Sequence, residues 1–224
     1  MIKCFIERSC EGGNRRMLTL YIVRHGETEW NKEDRIQGRL NSHLTEKGRR
    51  NAQLLGERLK EIDFAKVITS PSGRTIETTK LIREDRDMFV QTNERIMEMD
   101  MGPWQGLLKS EIRSKYPDAY ECFMNRPELY QNEDAESFID IYKRAEAFLH
   151  ELRSSKQTGN LLIVSHGLFI KALFLTIKEI KIKDFWTEPT VEGTSLSIVK
   201  MDAEETKLLL EGDMSHVNVG SVRE

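Results

Sequence analysis

The chain has 224 residues, a length that a single α/β domain reaches. Hydrophobic residues make up 38 % and charged residues 32 %, and the formal net charge is -3. Recurrent apolar clusters such as Leu161-Leu162-Ile163-Val164 exclude a chain disordered throughout, and the charge leaves no basic field to hold nucleic acid. The one long apolar stretch, 161–177, is broken by Ser165, His166 and Lys171, so we expect no membrane span. Cys4, Cys10 and Cys122 form neither a disulfide framework nor a CxxC pair, which points to a reducing compartment and away from thiolate-bound zinc. The expectation is a soluble cytoplasmic protein with no secretory signal.

Residues 1–16 read as foreign to the rest of the chain. They carry four basic and two acidic side chains and lack strand or helix periodicity. Glu11-Gly12-Gly13 is encoded by GAR-GGN-GGN, which accommodates the bacterial ribosome-binding sequence AAGGAGG just upstream of Met17. Two readings result: an extension not translated in the cell, with synthesis starting at Met17, or an ordinary tail. A single domain is expected over 17–224.

From Met17 the pattern alternates strands with helices. Leu18 to Val23 reads as the first strand, followed by a loop to about Ser42. Thr45 is an N-cap candidate for a helix with Ala52, Leu55, Leu59 and Ile62 on one face. Lys66 to Thr69 is a short strand, Pro71 a first-turn proline for a helix to about Glu84, and Met88 to Gln91 a third strand. Residues 99–106 read as loop around Gly102-Pro103 and Gly106. Two short helical pieces, divided at Pro117 and closed by Pro127, form an expected lid over about 107–135. Glu136 to Ser154 is the longest helix, and Leu161 to Val164 a buried strand running into another helix. Ser195–Met201 and Thr206–Leu210 read as an edge hairpin. This order predicts a three-layer α/β/α sandwich with a mostly parallel sheet and a helical lid insertion.

Three of these strands end in conspicuous polar groups: Arg24-His25-Gly26-Glu27-Thr28, Ser70-Pro71-Ser72-Gly73-Arg74 and Ser165-His166-Gly167. Ligands in such sheets sit at the C-terminal ends of parallel strands. Neighbouring strands would therefore converge two arginines and two histidines on one point. Arginine forks match tetrahedral oxyanions, and histidine adds a donor or a nucleophile. A glycine after each histidine lets backbone N–H groups approach an anion. The constellation is that of a phosphate site with a nucleophile inside it.

The run Leu20-Tyr21-Ile22-Val23-Arg24-His25-Gly26-Glu27-Thr28-Glu29-Trp30-Asn31 resembles the signature of the histidine phosphatase superfamily, also called phosphoglycerate mutase-like. The resemblance continues, in family order, through Arg35 to Gly38, Leu44 to Gly48, Ser70 to Arg74, Glu98 to Gly106, Glu136-Ser137 and Val164 to Gly167. It implies that His25 attacks phosphorus in line and becomes a phosphohistidine. Arg24 and Arg74 would clamp the equatorial oxygens and His166 would donate to them. Thr28, Asn31 and Gln37, with the backbone at Gly38 and Gly167, would bind the rest of the substrate. Glu98 would protonate the leaving alkoxide and then take a proton from water. Two guanidiniums and an imidazole supply the charge stabilisation that magnesium supplies elsewhere, so neither metal nor cofactor is implied. His25 must attack as the neutral ring, with its other nitrogen held by an acceptor. Departures from the family pattern fall at Asn41, His43, Pro103, Ala135, Leu168 and Thr194-Ser195, none of them a core catalytic position.

The resemblance leaves the reaction open between hydrolysis and transfer. A mutase must hold a second anionic group, yet residues 107–135 carry four basic side chains against six acidic ones. That favours a phosphomonoester hydrolase acting on a small phosphorylated metabolite. Trp104, Leu107, Tyr116, Tyr120, Phe123 and Met124 serve either the ester group or lid packing. A phosphoglycerate mutase-type isomerase and an inactive phosphoryl-ligand sensor are the alternatives.

Overall fold

The computed structural model describes residues 17–187 and 189–217. The expectations for 1–16 lie outside these residues. The chain order is β1 (Leu18–Arg24), α1 (Glu29–Lys32), α2 (Glu46–Arg58), β2 (Phe64–Thr69), α3 (Gly73–Arg83) and β3 (Val90–Thr92). There follow α4 (Lys109–Lys115), α5 (Pro117–Asn125), α6 (Phe138–Ser154), β4 (Gly159–Ser165), α7 (Gly167–Lys178), β5 (Leu196–Met201) and β6 (Thr206–Asp213). Short 3₁₀ turns span Glu94–Ile96, Gly102–Trp104, Pro127–Leu129 and Ile182–Thr187.

The six strands form one sheet in the order β3-β2-β4-β1-β5-β6. The first four are mutually parallel, and β5 and β6 add an antiparallel pair on the β1 side. Alternation along each strand divides the core in two. Leu20, Ile22, Leu161 and Ile163 join a cluster with α6 and α7, whereas Val23, Val67, Leu162 and Val164 join one with α2 and α3. Helices therefore cover both faces, as the alternation predicted. Among the described residues, no helix is long and apolar enough to cross a membrane.

Local chemistry sets the helix starts. Thr45 caps α2 by accepting from Gly48 N, and Ser137 with Asp140 closes a capping box on α6. Three sequence expectations shift. The loop after β1 contains the one-turn α1, capped by Thr28. Pro71 lies outside its helix, because Ser72 takes the N-cap position and α3 begins at Gly73. The third strand starts two residues late and is only three residues long, an exposed edge strand that pairs Val90–Thr92 with Val67–Thr69 of β2. Residues 107–135 hold α4, α5 and a 3₁₀ turn. Their aromatics pack on Trp104, which contacts Tyr116, Tyr120, Phe123 and Tyr130 at ring-centroid distances of 5.4–6.3 Å.

Candidate active site

The register pairs Arg24 of β1 with Ser165 of β4, and Thr69 of β2 with Val164 of β4. The three polar strand ends therefore lie side by side. They open into a cavity of about 500 Å³ lined by Arg24, His25, Asn31, Gln37, Gly38, Arg74, Glu98, Gly167 and Lys171, among others. Trp104, Ile112, Tyr120, Phe123, Met124 and Trp186 form its apolar side.

His25 is 2 % exposed. Its backbone N–H donates to the Ser165 carbonyl at 3.0 Å, and the Gly26 N–H donates to the Thr78 hydroxyl at 3.0 Å. Gly26 admits no side chain, since a Cβ would lie 2.7 Å from the Gly48 carbonyl oxygen. The ring Nδ1 lies 2.8 Å from the Gly26 carbonyl, an acceptor only, so Nδ1 carries the proton and Nε2 keeps a lone pair. This carbonyl is the acceptor that the sequence left unidentified. Burial, then the charges of Arg74 and Arg24, push the His25 pKa well below its usual value. The ring is accordingly neutral at physiological pH.

Both arginines are anchored by backbone carbonyls. Arg24 Nη1 donates to the Val191 carbonyl at 2.6 Å. Arg74 Nη1 and Nη2 donate to the carbonyls of Leu40 and Gly38 at 2.6 and 2.8 Å. Gly38 presents that carbonyl from a left-handed backbone, φ +53°, that glycine adopts without strain. In each arginine Nε is buried and lacks a partner among protein atoms. A buried N–H without an acceptor costs about 1–3 kcal/mol, so each of these two cavity-lining arginines keeps a donor that the protein leaves unsatisfied. Burial lowers the Arg74 pKa to about 10, which leaves it charged at neutral pH. Asn41, one of the departures, accepts from Arg74 N at 2.9 Å and so stands in for the side-chain cap that Ser72 does not supply.

His166 sits differently from the expectation. Its Nδ1 lies 2.9 Å from Arg74 Nη2 and its Nε2 lies 2.8 Å from Ser70 Oγ. A guanidinium only donates, so Nδ1 accepts and Nε2–H donates to Ser70. Both ring nitrogens are engaged by protein, and His166 is not among the residues lining the cavity. It anchors the Arg74 fork beside the His25 ring. Its pKa is also well below the usual value, through burial first and then Arg74.

Thr28 is likewise displaced from its expected place. It is fully buried, absent from the cavity wall, and serves as the α1 cap. Its hydroxyl donates to Asn31 Oδ1 at 2.9 Å and accepts from Gln37 Nε2 at 2.8 Å. Thr28 therefore orients two residues that do line the cavity. Gln37 Oε1 is buried without a partner.

Glu98 follows the 3₁₀ turn after β3 and faces the start of α7. Its carboxylate accepts from the backbone N–H groups of Met99 (3.0 Å), Phe169 (3.2 Å) and Leu168 (3.3 Å). A carboxylate at a helix N-terminus meets N–H groups that have no partner within the helix. His43 is exposed and off the cavity wall. Pro103 fits its 3₁₀ turn.

Lys171, read only as a break in an apolar run, lines the cavity with 7 % exposure. Its ammonium donates to the Pro189 carbonyl at 3.3 Å and lies within 6 Å of the Phe185 and Trp186 rings. A lysine inside an apolar helical face was the one available signal. Val191 and Trp186 gave none. Of the apolar side chains expected at the ester group, Trp104, Tyr120, Phe123 and Met124 reach the cavity, while Leu107 and Tyr116 are absent from its wall.

This chain is 31 % identical over 193 residues to "Phosphoserine phosphatase 1" of Hydrogenobacter thermophilus, covering 86 % of this chain and 91 % of that one. It is 30 % identical over 215 residues to "Probable phosphoglycerate mutase GpmB" of Salmonella arizonae, covering 93 % and 99 %. Among solved structures it resembles Bacillus stearothermophilus YhfR, with a TM-score of 0.86, 38 % identity, and coverage of 89 % and 99 %. The model of the histidine phosphatase superfamily (branch 1) matches residues 20–213, and the chain belongs to that superfamily of enzymes.

Proposed function

We propose that this enzyme is a metal-independent phosphomonoester hydrolase that acts on a small phosphorylated metabolite through a phosphohistidine at His25. The carrying observation is the neutral His25 ring, with Nδ1–H on the Gly26 carbonyl, set beside two guanidiniums whose Nε donors are buried and unpartnered.

In this reading Nε2 of His25 attacks phosphorus and the P–O bond to the alcohol breaks. Arg24 and Arg74 hold the equatorial oxygens, where the charge of the transition state collects. Glu98 gives its proton to the leaving oxygen. It then takes a proton from the water that attacks the phosphohistidine, the P–N bond breaks, and inorganic phosphate leaves. His166 and Ser70 keep Arg74 in place, and Thr28 sets Asn31 and Gln37. The alcohol lies along Trp104, Tyr120, Phe123 and Met124. Phosphatase-named relatives support hydrolysis, as does the acidic surplus of residues 107–135. The mutase-named relatives favour phosphoryl transfer as the second reading.

The test is phosphate release from p-nitrophenyl phosphate and a panel of metabolite monoesters, in the presence of a chelator. His25→Ala is expected to abolish release, a loss of at least about 10⁴-fold. Phosphoryl movement between hydroxyls of a phosphoglycerate without release would establish the mutase. Chelator-sensitive turnover would sink the metal-independent mechanism.

A further inference from the structure

A fully satisfied guanidinium lies outside the cavity wall. Arg144, on the middle of α6, donates from Nε to Glu136 Oε1 at 2.9 Å and from Nη2 to Glu136 Oε2 at 2.8 Å. Its Nη1 donates to the carbonyls of Arg95 and Met97 at 2.7 and 2.6 Å, and its Nη2 also reaches the Glu98 carbonyl at 3.3 Å. These five bonds use all five N–H donors of the side chain. The guanidinium also stacks 5.2 Å from the Phe169 ring, and Phe169 N donates to the Glu98 carboxylate. Glu136 closes the other side by accepting from the Asp100 backbone N–H at 2.8 Å.

The segment 95–100 is thus held at four backbone groups by one ion pair, whose side chains are 14 % and 17 % exposed. The segment has no regular structure of its own after Ile96, and Glu98 sits at its centre. A loop of this kind wanders unless its carbonyls are tied. A planar five-donor fork ties several at once, which the three donors of a lysine on a flexible stem cannot do.

We infer that Arg144, locked by Glu136, is a positioning residue that aims the Glu98 carboxyl at the leaving oxygen of the substrate. It touches no reacting atom. The inference rests on the hydrolase reading and on Glu98 as its acid, and it assigns the aim of that acid to a residue one helix away.

The experiment compares the full chain with Arg144→Lys, Glu136→Gln and Glu98→Gln. Steady-state kinetics are measured on p-nitrophenyl phosphate, which leaves without help, and on glycerol 2-phosphate, which needs a proton. A misplacement of about 1 Å costs about 10²-fold, so Arg144→Lys should lower kcat/KM, which covers the step that expels the alcohol and not the shared hydrolysis of the phosphohistidine, by about 10- to 100-fold on glycerol 2-phosphate and by under about threefold on the aryl ester. Glu98→Gln should show the same preference more strongly. An equal loss of kcat/KM on both esters overturns the positioning role, because general loosening of the fold does not sense the leaving group. If Arg144→Lys does not fold, Glu136→Gln is judged by the same criterion. Leaving-group dependence in Glu98→Gln with none in either brace variant overturns the brace alone. A parent that releases phosphate from neither of these esters nor from any metabolite monoester of the panel overturns the hydrolase reading and this inference with it.

Discussion

His25 and His166 stand at the ends of adjacent parallel strands, with ring centroids 5.3 Å apart. Both are buried, and in both burial and the neighbouring arginines depress the pKa. Electrostatics therefore makes the two rings alike, neutral and unable to serve as resident cations. The hydrogen-bond partners separate them. His25 meets one acceptor, a carbonyl, and retains a lone pair on Nε2. His166 meets a donor and a hydroxyl, which use both nitrogens. One becomes available for bond formation and the other becomes a strut, and the distinction turns on which atoms lie within 3 Å.

Substitution should pull the two rings apart. The largest effect belongs to His25→Ala, which removes the atom proposed to attack phosphorus. His166→Gln should be smaller in kind: it loosens one guanidinium, and a fixed donor is worth roughly 3–4 kcal/mol, so kcat/KM should fall by about 10²–10³-fold. Equal losses in the two variants would show that His166 does more than hold Arg74. Ser70→Ala leaves the His166 Nε2–H without its acceptor and should cost about 1–3 kcal/mol of stability in denaturant titration.

The shared property gives a pH prediction. A histidine whose folded pKa is depressed contributes stability above its unfolded pKa, about 6.5, and this contribution is lost as pH falls. His25 and His166 both act in this direction. So does His216, which burial, with Arg58 nearby, lowers to about 4 although Asp213 opposes it. The denaturant midpoint should therefore decline from pH 6.5 downward, and His166→Gln should flatten the slope. A midpoint unchanged between pH 7 and pH 5 would contradict neutral burial of these rings.

The smallest effect lies behind His25 alone. Thr194 has φ +67°, a left-handed backbone that a β-branched residue adopts only under strain, and its N–H donates toward the carbonyls of Arg24 and His25. Its hydroxyl pairs with His216 Nε2 at 3.1 Å. Thr194→Asn, which tolerates that backbone, should raise stability by about 1 kcal/mol and Tm by about 2–4 °C. A lower Tm would show that the His216 contact outweighs the strain.

Legibility in the sequence tracks the range of the physics involved. Apolar runs and caps are local, so the strands ending at Arg24, Thr69 and Ser165 and the starts of α2 and α6 could be read directly. Family motifs brought His25, Arg74 and Glu98 to one region. What each atom touches was not legible. His166 meets partners 92 and 96 residues away, and the carbonyls bound by Arg144 lie 46–49 residues away. No local pattern marks an arginine on an amphipathic helix as a clamp for a distant loop. Thr28 shows the same limit: its motif position was visible, but not its turn away from the cavity toward Asn31 and Gln37.

The sheet order bears on how the chain is made. β4 lies between β2 and β1, yet it is synthesised after both. At about 5–20 residues per second, the ribosome needs on the order of 5–20 s to advance from the end of β2 to the end of β4. Throughout that interval the nascent chain carries His25 just after β1 and Arg74 in the helix just after β2, and these two strands lack their common neighbour and the backbone partners it supplies. Affinity for an oxyanion should emerge only when the residues around 165 insert. Acquisition of that affinity would mark the moment the centre of the sheet closes, and the waiting edges are the segments a chaperone has most reason to shield.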